Sequence, residues 1–194
     1  YTTSKRHEGY IAITIPDTKY PFESVVTFVR KTISSLGWKR YLWFAKYISK
    51  YKVMEAYKLV NKPCISLDCG FWIDELNGFP RAFVNFALDT IGIRGILKLM
   101  EGKENRSCRF TECLSYYDGN ELHQFMGKHE GTLANEVLGN DTDKKWSDLW
   151  YIYQPCGYNK TLAQMTEEES TNRTKYNSVD AMREFAKWYK KKGF

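Results

Sequence analysis

Apolar positions along this chain switch repeatedly between strand and helix spacing. Residues 10–15, Tyr-Ile-Ala-Ile-Thr-Ile, are β-branched and aromatic and predict a strand, after which Pro16, Asp17 and Pro21 mark a loop. From Phe22, apolar Val25, Val26, Phe28, Val29 and Ile33 recur at helical spacing until Gly37. A short strand is expected at about 40–44. A helix comes next, through Ile48, Val53, Ala56 and Tyr57 to Val60, and Pro63 ends it. Cys64-Ile65-Ser66-Leu67 then predicts a short buried strand that delivers Asp68. Strand alternating with helix argues for an α/β fold over an all-β one.

The remaining pattern adds a turn at Asn77-Gly78-Phe79-Pro80 and a helical stretch from Ala82 to Met100 that divides near Gly92. Residues 108–116 and 122–125 flank Asp118-Gly119-Asn120, whose residue types accept the positive φ of a tight hairpin turn. Further extended stretches are expected from Gly131 and over 149–154. An amphipathic helix over 178–191 places Met182, Phe185, Ala186 and Tyr189 on one face. Nothing separates two independent domains, so residues 1–194 are expected to form a single domain.

Composition narrows the class only slightly. The charge of +6 is concentrated at Lys187, Lys190, Lys191 and Lys192, where a solvated helix end with its dipole accounts for it. An apolar strand with charged flanks explains the basic, aromatic stretch at 39–47 as well as nucleic-acid binding does, and nucleic acid is not expected as a partner. Five cysteines, at 64, 69, 108, 113 and 156, form no C-x-x-C pair and suit a reducing compartment. No apolar run approaches the roughly 20 residues a membrane span needs, and a cytoplasmic protein is expected.

The middle of the chain carries an ordered series of motifs. They are Lys62-Pro63-Cys64-Ile65-Ser66-Leu67-Asp68-Cys69-Gly70-Phe71, Leu76-Asn77-Gly78-Phe79-Pro80, and Thr90-Ile91-Gly92-Ile93-Arg94-Gly95-Ile96-Leu97. Glu130-Gly131-Thr132, Pro155-Cys156-Gly157-Tyr158-Asn159-Lys160-Thr161 and the acidic Glu167-Glu168-Glu169 complete the series. In this order they resemble the Ham1 or inosine triphosphatase-like family over most of residues 48–170. The resemblance implies an elongated mixed β-sheet with flanking helices, forming two lobes around a nucleotide cleft, and a homodimer. It also implies a metal-dependent pyrophosphatase acting on aberrant purine nucleoside triphosphates, with Mg2+ or Mn2+ as cofactor.

Cleavage between the α and β phosphates needs a water, a divalent cation against the triphosphate charge, and donors on the leaving pyrophosphate. Asp68 matches the family's aspartate and is the candidate for catalysis and metal binding, with Gly70 permitting close phosphate approach. Lys160 matches a lysine of the family's nucleotide loop. Lys19 lies after the first predicted strand and is a candidate phosphate contact. Glu23, Asp17 and Asp148 are candidate further metal ligands.

The departures from the family pattern fall on base recognition and on part of the metal shell. Leu67 occupies the first position of an acidic pair. The base-reading run falls on Ser147-Asp148-Leu149-Trp150-Tyr151, where Trp146 and Trp150 are candidates to stack on a base. An S-H-R triplet is absent, and Arg173, Lys175 and Asn177 are the candidates to replace it. Lost hydrogen bonds to the purine imply altered base preference, because a buried group left unpaired costs about 1–3 kcal/mol. The alternative reading is a catalytically weak or inactive relative that binds a nucleotide or a protein partner.

Overall fold

The computed structural model describes residues 39–140, 147–173 and 178–193. The strand expected at 10–15 and the helix expected at 22–37 lie outside the described residues. Helix α1 (Lys39–Val60) leads into strand β1 (Cys64–Ile73), β2 (Pro80–Arg81), α2 (Val84–Thr90), α3 (Gly92–Leu99) and β3 (Ser107–Tyr117). Next come β4 (Leu122–Leu133), β5 (Tyr153–Pro155), α4 (Glu167–Asn172), β6 (Ser178–Val179) and α5 (Ala181–Lys191). The sheet order is β2-β1-β3-β4-β5, with β6 also paired to β4. This is a mixed α/β arrangement, as the alternating pattern implies.

The expected strand at 40–44 is a correction: this segment is the first turn of α1. Its aromatic residues favour extended backbone locally, but the residues C-terminal to it decide for helix. Ala45, Ser49, Val53 and Ala56 are all buried and recur at i, i+4, i+8 and i+11, which is one helical stripe. Burial of that stripe overrides the weaker β propensity. The helix stops where Asn61 takes a left-handed φ of 48° and returns its N–H to the Tyr57 carbonyl at 2.7 Å.

The chain divides into two compact units, one comprising residues 1–68 and 113–125 and the other 69–112 and 126–194. In the first unit Val53, Ala56 and Cys64 form a small core, against which Met54, Val60, Tyr117 and Leu122 pack. Tyr57 meets Tyr117 edge-on at 5.2 Å. The hairpin turn keeps the expected chemistry: Asp118 Oδ1 accepts the N–H groups of Asn120 and Glu121, both at 2.8 Å. Gly119 adopts φ 101°, and a Cβ there would stand 2.2 Å from the Tyr57 hydroxyl, so both backbone and neighbour demand glycine.

The second unit has the larger core. Phe71, Ile73, Ile96, Met100, Leu133, Leu149, Ile152, Tyr153 and Leu162 are buried together. Phe110 sits 4.6 Å from Phe71 and 4.8 Å from Tyr153, the latter edge-on. The helical stretch divides at Gly92, as expected, where φ is 64°. β4 does not end near residue 125 but runs unbroken to Leu133, pairing Leu133 with Tyr153 of β5 and His129 with Ser178 of β6. The C-terminal helix buries Ala181 and Phe185, while Met182 is exposed, so the apolar face is rotated from the one the sequence predicts.

The hydrogen bonds donated by the backbone N–H groups of Glu121 and Asn120 hold the Asp118 carboxyl below the usual carboxylate range. A lowered folded-state pKa makes its contribution complete above the ordinary aspartate pKa and lost as pH falls through the lowered value. Asp118→Ala is therefore expected to cost about 1 kcal/mol in urea unfolding at neutral pH, with the difference shrinking under acid. A cost that persists unchanged in acid would contradict this origin.

Candidate active site

Asp68 lies on β1, and strand alternation puts Ser66 and Asp68 on one face and Leu67 and Cys69 on the other. Leu67 and Cys69 are indeed exposed, while Asp68 is 12% exposed. Ser66 and Asp68 meet residues of α1. The Lys52 ammonium donates to Asp68 Oδ1 at 3.0 Å, and the lysine side chain is itself only 18% exposed. One helical turn earlier, the fully buried Ser49 places its Oγ 2.8 Å from Ser115 Oγ and 3.2 Å from Ser66 Oγ. Ser66 Oγ donates back to the Ser49 carbonyl at 2.6 Å. Gln124 Nε2 donates to Ser115 Oγ at 2.9 Å and to the Lys46 carbonyl at 2.7 Å.

These bonds bind α1, β1, β3 and β4 at one level within the first unit. Ser49 and Lys52 are three residues apart and so share a helix face. The serine ladder thus fixes the rotation of α1, and that rotation aims Lys52 at Asp68. A carboxylate and an ammonium so enclosed are screened less than an exposed pair. Cys113 also borders the ladder, with Gln124 Nε2 3.8 Å from its sulfur. Burial pushes its thiol pKa up, against the opposing effect of Ser49 and Ser115. A protonated, buried thiol is no nucleophile.

The comparisons with known proteins bear on this arrangement. The profile of the Ham1 family matches residues 44–188, which contain Lys52, Asp68 and the whole ladder. The chain belongs to the Ham1 family. It is 36% identical over 143 residues to the dITP/XTP pyrophosphatase of Thermococcus kodakarensis, covering 74% of each chain. To the dITP/XTP pyrophosphatase of Methanopyrus kandleri it is 35% identical over 149 residues, covering 74% of this chain and 73% of the relative. Its fold is similar to that of the Staphylococcus aureus Ham1 protein, with a TM-score of 0.55 at 22% identity over 70% of this chain and 68% of the other. A HAM1 protein from Coxiella burnetii gives a TM-score of 0.56 at 21% identity over 64% and 66% of the two chains.

The other candidates from the sequence fall outside the described residues or in the second unit. Lys19, Glu23, Asp17, Lys175, Asn177 and Trp146 lie outside the described residues. Gly70, Asp148, Trp150, Lys160 and Arg173 belong to the second unit, whereas Asp68 closes a segment of the first. A Cβ at Gly70 would meet the Trp72 ring at 2.5 Å and the Arg81 carbonyl at 2.8 Å, which explains glycine there by packing alone. Asp148 is exposed at the start of a 3-10 turn (Asp148–Tyr151). Trp150 packs half-buried against the large core. Lys160 pairs with Glu169 at 2.7 Å, and Arg173 donates to the Ser170 carbonyl at 2.6 Å.

Sequence reasoning missed Lys52, Ser49, Ser66, Ser115 and Gln124. One signal was available: Ser49, Val53 and Ala56 form a stripe, and Lys52 is adjacent to it on the helix. A charged residue beside a buried stripe marks a helix face that meets a polar partner. The ladder predicts a measurable dependence: Ser49→Ala should lower unfolding stability by about 1–3 kcal/mol, the cost of leaving buried hydroxyl partners unsatisfied. Urea denaturation indistinguishable from the parent would show that the ladder carries no such load.

Proposed function

We propose that this chain hydrolyses an aberrant purine nucleoside triphosphate to the monophosphate and pyrophosphate, with Asp68 and Lys52 in the reaction centre. The observation that carries this reading is the enclosed Lys52–Asp68 pair, built on a serine ladder, inside the segment matched to the Ham1 family. Water forms a bond to the α-phosphorus, the bond from that phosphorus to the α–β bridging oxygen breaks, and the electron pair leaves with pyrophosphate. Asp68 orients the water and accepts its proton. Lys52 fixes the orientation of Asp68 and places positive charge where the phosphates gather.

A divalent cation suits these donors, since a carboxylate oxygen is the hard ligand that Mg2+ or Mn2+ takes together with substrate phosphates. Asp68 would hold it, and the cation would neutralise triphosphate charge. Glu23 and Asp148 are proposed as further ligands. Lys19, Gly70, Trp150, Lys160, Arg173 and Lys175 are proposed as substrate contacts. Replacement of the family's base-reading residues points to a base preference of its own. Exposed Phe83 and Phe86, at 52% and 68%, support a homodimer. Five cysteines outside any disulfide support a cytoplasmic location, and among the described residues no helix is long and apolar enough to cross a membrane.

A second reading, a nucleotide-binding relative with little activity, is favoured by Leu67. Leucine places no carboxylate at the position where the family pattern has the first residue of an acidic pair. Pyrophosphate release measured across triphosphates of inosine, xanthosine and the common bases separates the two. Hydrolysis by the parent, abolished by EDTA and restored by Mg2+, with Asp68→Asn slower by about 100-fold or more, is the expected result. Equal turnover by parent and Asp68→Asn would remove Asp68 from the mechanism. Nucleotide-dependent thermal stabilisation without hydrolysis would establish the second reading.

A further inference from the structure

A second cluster of chemically capable side chains lies in the other unit. Glu112 on β3, His129 on β4 and Asp180 at the start of α5 bring one ligand atom each within 4.8 Å of one another. His129 Nε2 is 3.2 Å from Glu112 Oε1, and the two side chains are 15% and 14% exposed. Three separate chain segments therefore converge. Two features of the backbone build the convergence. Pairing of β4 with β6 sets His129 opposite Ser178, which brings Asp180 to the same edge. Gly127 provides the space for the carboxylate, because a Cβ there would stand 2.3 Å from Glu112 Oε1.

Docking of α5 explains part of this arrangement. Ala181 N–H donates to Glu112 Oε1 at 2.9 Å, and Arg183 N–H donates to Asp180 Oδ1 at 2.9 Å. Two carboxylates at a helix N-terminus need no further cause. The imidazole comes from a third segment: its Nε2 lies 3.2 Å from Glu112 Oε1, which adds a nitrogen ligand atom to the two carboxylates at one point. Each of those amide bonds uses one carboxylate oxygen, and each carboxylate carries a second. An imidazole nitrogen with two carboxylate oxygens is a donor set for a borderline divalent cation such as Zn2+, rather than for Mg2+, which prefers oxygen alone.

We infer that Glu112, His129 and Asp180 form a binding site for a borderline divalent cation, which ties α5 to strands β3 and β4. Three protein donors leave the remaining coordination positions to water. The ligand chemistry is independent of the reaction proposed at Asp68, so neither inference requires the other.

The experiment uses the full chain carrying Asp68→Asn, so that a cation at the proposed reaction centre does not contribute, with Zn2+ as probe. Equilibrium dialysis followed by metal analysis should find about one Zn2+ per chain. Co2+ substitution should give a visible ligand-field spectrum lacking the thiolate charge-transfer band that binding at Cys69 would produce. His129→Gln and Asp180→Asn, each confirmed as folded by circular dichroism, should bind at least about 100-fold more weakly, more than is typical for losing an outer-shell partner. Glu112→Gln replaces either one that fails to fold. Hydrogen exchange should show slower opening of residues 181–191 on adding Zn2+. No retained zinc, a thiolate spectrum, or undiminished binding by the folded variants would overturn the site.

Discussion

The contact on which the candidate reaction centre depends is the buried bond from Ser49 to Ser115, at 2.8 Å. It ties a helix to a strand distant in sequence through side chains short enough to demand close approach. A hydroxyl withdrawn from water must find partners or incur a cost comparable to a lost hydrogen bond. Ser49, Ser66, Ser115 and Gln124 satisfy one another, and the arrangement fixes how α1 lies on β1. Lys52 and Asp68 are then held 3.0 Å apart by two elements whose relative rotation is already determined. Placing reactive groups on regular elements, with supporting hydrogen bonds behind them, is what preorganisation requires.

Small residues make that approach possible. The stripe of α1 that faces inward is Ala45, Ser49, Val53 and Ala56, none of which holds the helix far from the strand. β1 carries both kinds of information in ten residues. Its first half alternates, with Ser66 and Asp68 toward α1 and Leu67 and Cys69 toward solvent. Its second half, Gly70 to Ile73, is buried throughout, and Phe71 and Ile73 belong to the larger core. The transition falls at Asp68-Cys69-Gly70, so the carboxylate stands where a solvated strand becomes a core strand.

Much of the fold was legible in the sequence because local chemistry decided it. The break at Gly92 and the hairpin at Asp118-Gly119-Asn120 arise from residues that accept positive φ, and the structure places both as the pattern predicts. The segment at 40–44 was not legible, because its aromatic residues suit a strand and only the burial of positions 45, 49, 53 and 56 makes it a helix. The rotation of α5 was hidden for a similar reason: Met182 and Ala181 are both apolar, and the hydrogen bond that the Ala181 N–H donates to Glu112 selects which of them turns inward. Within the candidate site, Asp68 stands out by its motif, whereas Lys52 resembles any solvated helical lysine. Its role emerges only when β1 packs across α1, a contact 16 residues away in sequence.

In the proposed reaction, Lys52 and Asp68 act as one unit on a nucleoside triphosphate. A double-mutant cycle on kcat/KM, comparing Lys52→Met, Asp68→Asn and the double variant, tests it most directly. If the pair is one unit, the second substitution adds little to the first, and the coupling energy lies in the upper part of the usual range of about 0.5–3 kcal/mol. Fully additive losses would contradict the claim, since each residue would then contribute without the other.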